Sequence, residues 1–246
     1  IDLPPDTAAR IARGYLQAVI EEDIHEVDGV ERDKDKVRKL IASLARNEST
    51  LASNKTLMRD ARDPGATEEA LTAPTLNEYL DALRRLYFVQ DILPWAPSVR
   101  SSVRIRSAVK RHLADPSLAA ASLGVSVEAL IQDLETLGFL FESLVAHDLI
   151  AYAGAMGTQV RHYHDDKDLE ADLVLEAADG SWAPVEIKLG ASQVDEAAKN
   201  LLAVKDKLER AGYRSPSALL VVVGVGGIAT KRDDGVQVAT LDTLGI

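Results

Sequence analysis

The chemistry in this sequence is concentrated in a few charged residues: Asp172, the triplet Glu186-Ile187-Lys188, and Glu142 upstream of them. Alternate residues of a strand share a face, so Glu186 and Lys188 stand side by side while Ile187 enters the opposite layer. Asp172 lies one predicted hairpin earlier. Two carboxylates at a sheet surface are hard oxygen ligands of the kind Mg²⁺ takes, since that ion keeps several waters and binds through one or two protein carboxylates plus substrate phosphate. Asp172 and Glu186 are therefore the expected metal ligands. Lys188 would position, or help to deprotonate, a water attacking a phosphodiester. Glu142, on an apolar helix, would complete the catalytic set as a further ligand or through water.

A second group is cationic. Arg100, Arg104, Arg106, Lys110 and Arg111 occur with no acid between Ser98 and His112, so they are the candidate nucleic-acid-binding residues, each phosphate contact adding salt-dependent affinity. The competing expectation is that they pair with acids of the same chain. His162 and His164 share a strand face, but without a third neighbouring ligand they are assigned no role. Asp165, Asp166 and Asp168 read as a turn whose charges face water and would repel a phosphate backbone.

The elements that must position these residues follow from periodicity and breakers. Apolar residues recur at helical spacing in 8–28 and again from Val37 to Leu44. Pro74 suits a first helical turn, giving a helix from Thr75 to about Leu86. Tyr87–Leu93 and Val99–Ile105, with Pro94 and Pro97 between them, read as two strands of a wing, so residues 35–115 read as a winged helix. Asp115-Pro116-Ser117 opens an Ala-rich helix that Gly124 ends, and Leu137–Val145 continues as an apolar helix carrying Glu142. Gln159–His164, Ala171–Glu176 and Ala183–Leu189 read as strands, Val194–Arg210 as a helix and Ser217–Val225 as a buried strand. Asp233-Asp234-Gly235 turns a last hairpin. The fold class is α+β: a helical winged-helix half, then a mixed sheet in the order α-β-β-β-α-β.

With Glu142, Asp172 and Glu186-x-Lys188 placed in that order, the second half resembles the PD-(D/E)XK, restriction-endonuclease-like superfamily. More narrowly, the chain from about residue 10 is similar to the C-terminal region of a bacterial and archaeal family of AAA-type ATP-binding proteins. In that family an ATPase module is followed by a winged helix and a nuclease-like domain of unknown function. The resemblance is carried by Tyr15-Leu16 with Glu22-Asp23-Ile24, Pro74-Thr75 with Tyr79-Leu80-Asp81-Ala82-Leu83, Asp115-Pro116-Ser117-Leu118, Leu140-Phe141-Glu142-Ser143, Glu170-Ala171-Asp172 and Val185-Glu186-Ile187-Lys188. It implies a helical linker over 1–34, a winged helix over 35–126 and the nuclease-like domain over 127–246. It also implies Mg²⁺ as cofactor, an upstream ATPase as partner that alone would bind ATP, and DNA as a candidate second partner, with room for an oligomer. No G-x-x-x-x-G-K-[ST] occurs here, and Gly224-Val225-Gly226-Gly227 lacks that spacing, so ATP hydrolysis is not credited to these residues.

Charge and composition bound these readings. Of 246 residues, 46% are hydrophobic and none is cysteine, which excludes disulfides and thiolate chemistry and fits a reducing cytoplasm. A start at Ile1 rather than Met leads us to expect a piece of something longer. Residues 1–126 hold 18 basic and 19 acidic side chains, whereas residues 127–246 hold 10 and 20. That segregation predicts two modules, divided near 115–127. An acidic second half favours a non-catalytic regulatory or assembly module of the ATPase, because a nuclease normally offers cations to its substrate. The intact Asp172, Glu186 and Lys188 favour the nuclease. A regulator acting through the winged helix alone is a third reading. No run of about 20 uninterrupted apolar residues is present, so no membrane span is expected.

Hairpin parity supplies a geometric test. Asp172 shares a face with Glu186 and Lys188 only if an odd-length loop joins their strands, pairing for example 172 with 188 and 174 with 186. A two-residue turn at Asp179-Gly180, the local preference of Asp-Gly, would send Asp172 to the face of Ile187.

Overall fold

Helices start where a side chain can accept from the first free N–H groups, or where a proline has none to offer. The computed structural model describes residues 3–63, 70–98, 100, 101, 104, 108–226 and 229–244. Helix α1 (Pro5–Ala18) begins at a proline and runs into a π-helical turn, Val19–Asp23. Asp33 caps α2 (Lys34–Arg46), Ser53 caps α3 (Asn54–Asp60), and Thr72 caps α4 (Ala73–Arg85), with Pro74 in its first turn. Strands β1 (Val89–Pro94) and β2 (Lys110–Leu113) follow. Asp115 then caps α5 (Pro116–Leu123), which Gly124 ends in the left-handed region, and Ser126 caps α6 (Val127–Gln132). The long helix α7 spans Leu134–Ala155.

The chain packs as two units, Ile1–Asp91 with Lys110–Ser143 and Ile92–Val109 with Leu144–Ile246; the sequence-based boundaries stood at 34/35 and 126/127. In the first unit, Val19, Ile20 and Ile24 share one core with Val37, Leu40 and Leu80. Leu118, Ala119 and Leu140 join the same core. Its helices α2–α4 precede β1 and β2. The strand that follows β1 among the described residues is Lys110–Leu113; the expected strand Val99–Ile105 lies mostly outside the described residues. Within Val99–Ile105 only residues 100, 101 and 104 are described, and Arg104 is helical. A strand reading Lys-Arg-His-Leu escapes a hydrophobic-pattern search because three of its four side chains are polar, yet Lys110 and His112 are buried. Beside it, the buried Glu48 accepts from Leu113 N at 3.0 Å and from Ser143 Oγ at 2.8 Å.

In the second unit, β3 (Gln159–His164), β4 (Glu170–Glu176) and β5 (Trp182–Lys188) form an antiparallel meander. Helix α8 (Val194–Arg210) crosses to β6 (Leu220–Val223), parallel to β5, and β8 (Gln237–Thr240) lies parallel to β6 with the short β7 (Thr230–Lys231) antiparallel outside it. The end of β1 adds to the other side, Leu93 and Pro94 pairing in parallel with Arg161 and His162. The fold class is therefore mixed α+β, with helices dominating the N-terminal half and a mixed sheet in the C-terminal half. One face of α8 closes over the sheet: Val204 and Leu208 pack with Trp95, Tyr163, Val174 and Trp182, and Ala197, Ala198 and Leu201 with Val221 and Val223.

Among the described residues, one helix, α7, is long and apolar enough to cross a membrane by length and composition. The run is interrupted by Glu135, Glu142 and Asp148, and Leu140, Val145, Ala146, Leu149 and Ala153 are buried. Such a helix serves equally as a core element of a folded domain.

The β4–β5 hairpin decides the candidate site. Leu173 pairs with Val185 and Glu176 with Trp182, while Ala177 N donates to Ser181 O and Gly180 N to Ala177 O. The loop is the three residues Ala178, Asp179 and Gly180, an odd length as the shared face requires. Its register is shifted by two residues from the pairing of 174 with 186, because 174 meets Pro184. Continued one step, this register sets Asp172 abreast of Glu186. Gly180 makes the turn at φ +77°, and a Cβ there would meet nothing within 4 Å. Gly180→Ala should therefore cost only backbone strain, about 1–2 kcal/mol, measurable as a lowered urea midpoint; an unchanged midpoint would show that the left-handed turn is not required.

Candidate functional site

Asp172, Glu186 and Lys188 rise on the sheet face that α8 covers, since Glu186 and Lys188 pair with Val221 and Val223, which pack under that helix. Lys188 Nζ is 2.7 Å from Glu186 Oε2 and 3.5 Å from Asp172 Oδ2. Asp172 Oδ2 also accepts from Ile187 N at 2.8 Å. Asn200, on α8, donates through Nδ2 to Glu186 Oε1 at 2.8 Å and to Glu170 O at 2.7 Å, so one amide ties the helix to both strands. Both carboxylates are buried, at 6% and 3% exposure, whereas the Lys188 side chain keeps 27%. The Lys188 ammonium thus faces two buried acids. Burial first, and the Asp172 charge second, push the Glu186 carboxyl up to about 7, against the opposing pull of Lys188 and Asn200.

Above this cluster lies a cavity of about 410 Å³ lined by Asp168, Glu170, Glu186, Lys188, Glu196, Lys199 and Asn200, with Ala197 and Ala203 of α8. Asp168 is held at φ +57° and stands 3.5 Å from His164 Nε2, while His162 Nε2 meets Ala108 O at 3.0 Å. Asp165 is tied to Tyr163, Lys207 and the backbone of Lys167 and Leu169, so of the three acids in that turn it is engaged and not solvated. Among the described residues, no group of three or more His, Asp or Glu is placed to hold a metal ion. A site for Mg²⁺ would rest on two carboxylates and water.

A family model described as a domain of unknown function (DUF8612) matches residues 3–129, just over half of the chain. The chain belongs to the DUF8612 family. A second model, a domain of unknown function (DUF4143), matches residues 137–244 of this DUF8612 protein; DUF4143 domains are often found C-terminal to AAA ATPase domains. Neither a curated protein nor a solved structure matches the chain.

The remaining expected site residues of the DUF8612 protein are Glu142 and the cationic tract. Glu142 belongs to the first unit, where Lys110 Nζ donates to its Oε1 at 2.5 Å. Arg111 donates to Ala52 O and Asn54 Oδ1 and lies 3.7 Å from Asp91. Arg104 forms a two-pronged pair with Glu176, at 2.9 and 2.5 Å, and donates to Ala96 O. Arg100 is exposed, and Arg106 lies outside the described residues. Three of the five cations thus meet acids or carbonyls of their own unit, the competing expectation for this tract. Arg104→Ala should lower stability by about 1–2 kcal/mol, because the half-buried Glu176 would lose its two-pronged partner and keep Arg161 beside it. Equilibrium unfolding in urea checks this, and a midpoint equal to wild type would refute it. Sequence reasoning missed Asn200. Its only signal is an amide on the face of α8 that otherwise presents Ala197, Leu201 and Val204 to the sheet.

Proposed function

We propose that the second unit is a Mg²⁺-dependent, nuclease-like hydrolase of phosphodiesters, carried C-terminal to an ATPase module that would alone bind ATP. The observation that supports it is the pair of buried carboxylates, Asp172 and Glu186, with the Lys188 ammonium beside both and with Glu186 and Lys188 lining a cavity. Burial and the neighbouring Asp172 charge raise the proton affinity of Glu186, and hard oxygen donors held in that state suit a small divalent cation. Asp172 and Glu186 would hold the ion, which when bound would supply positive charge to a phosphoryl oxygen.

The protein's own groups do the rest. Asn200 fixes the Glu186 carboxylate from above. Lys188, on a flexible stem and partly exposed, turns its ammonium toward the cavity to orient the attacking water and to neutralise a phosphoryl oxygen. The water oxygen bonds to phosphorus as the ester P–O bond breaks; the water's proton passes to solvent, and the leaving oxygen is protonated from solvent. The test is hydrolysis of single- and double-stranded DNA and RNA with Mg²⁺ or Mn²⁺, beside calorimetric Mn²⁺ binding. Activity and binding lost in Lys188→Ala and Glu186→Gln respectively support the reading; no hydrolysis and no Mn²⁺ binding by the wild type overturn it. A second reading, a non-catalytic regulatory or assembly module of the ATPase, is favoured by the internal pairing of Arg104, Lys110 and Arg111, and it is the one left standing by that negative result.

A further inference from the structure

The rim of the cavity differs in charge from its floor. Asp168, Glu170 and Glu196 line it and are exposed, against Lys199 as the exposed cation among its lining residues. The Asp168 side chain is 95% exposed, and its backbone is in the left-handed region, where a non-glycine residue is uncommon. The Asp165–Leu169 turn that carries it is tied down by Lys207 and by two backbone donors on Asp165. These acids are therefore fixed features of the entrance rather than side chains on a loose loop.

A double helix carries one negative charge for about every 1.7 Å of its axis. Laid across this mouth it would bring several phosphates against Asp168, Glu170 and Glu196 for each one delivered to Lys188. A molecule with a single phosphodiester has one charge, which it can direct to Lys188 and Lys199 while its uncharged parts pass the acidic rim. The volume of about 410 Å³ falls in the range of small-molecule sites. Resting on the hydrolase reading of this same cavity, we infer that its substrates are small phosphodiesters, of dinucleotide or cyclic-nucleotide size, and that the acidic rim excludes polymeric duplex. Asp168, Glu170 and Glu196 are then specificity-determining residues.

The experiment compares dithymidine monophosphate with a short DNA duplex on the full chain. Calorimetric binding is measured in Ca²⁺ and hydrolysis in Mn²⁺. The inference expects the dinucleotide to bind at least tenfold more tightly than the duplex and to be the ester cleaved. It further expects the double variant Glu170→Lys, Glu196→Lys to raise duplex affinity by roughly tenfold, with a steeper salt dependence, while dinucleotide affinity stays within about threefold. Tighter binding and faster cleavage of duplex by the wild type would overturn this inference and leave the hydrolase reading intact. Neither ligand bound and neither cleaved would overturn both.

Discussion

Lys188→Ala should lower the stability of the second unit by about 3 kcal/mol near neutral pH. The ammonium is bonded to Glu186 and stands beside Asp172, and removing one partner of a buried ion pair leaves the other charge uncompensated, which costs roughly 3–5 kcal/mol. The partial exposure of Lys188 places it at the lower end. Divalent cation should restore part of the loss, because an ion that binds the folded form alone stabilises it by mass action. Urea unfolding with and without millimolar Mn²⁺ measures both effects. A variant as stable as wild type would mean that Asp172 and Glu186 do not carry charge together, and a variant indifferent to Mn²⁺ would count against the cation site.

Glu186→Gln should act in the opposite direction. The folded-state pKa of Glu186, at about 7, lies above its ordinary value of 4.5, so the folded chain binds this proton more tightly than the unfolded chain. That contribution is fully present below about pH 4.5 and is lost as pH rises through 7. A shift of this size is on the order of 3 kcal/mol. A glutamine has no proton to lose and keeps an acceptor for Asn200. The variant should therefore match wild type within about 1 kcal/mol near pH 5 and exceed it by about 2 kcal/mol near pH 8. Because other carboxylates titrate in both proteins, the difference between the two unfolding curves is the quantity to plot. A difference that does not grow with pH would show that Glu186 is not held against its own charge.

How much of this arrangement is legible in the sequence varies with the range of the interactions. Local signals served well: Thr72 and Pro74 start α4, Asp115 and Gly124 bound α5, and the Val194–Arg210 helix has the expected limits. Parity stated what a face shared by Asp172 and Glu186 requires, an odd loop, while the local preference of Asp-Gly pointed to a two-residue turn; the three-residue loop and its register depend on which residues are left unpaired. Ala177 and Ser181 were free to pair or not as far as composition goes. The non-local features left no pattern to read. Nothing in Arg100–Arg111 says that Arg104 finds Glu176, that Lys110 finds Glu142, or that Arg111 turns to Asn54. A buried polar strand at β2 looks like surface until its partners are known, and Asn200 is one amide on a helix that meets the sheet only after the chain has folded.

The crossing of β1 from one unit to the other sets how this protein can be cut. A fragment starting at residue 127 or 137 would contain every residue of the proposed site, yet it would lack Leu93, Pro94 and Trp95. Strand β3 would then present its backbone N–H and C=O groups to solvent along the side where Leu93 and Pro94 now pair. Trp182, whose ring lies 4.7 Å from that of Trp95, would lose its aromatic neighbour. Unprotected strand edges recruit one another, so such a truncation should collect in inclusion bodies or soluble aggregates, and its silence in an assay would say nothing about catalysis. Supplying residues 92–109 ahead of 144–246 through a flexible linker is the dissection that the chain's own path permits.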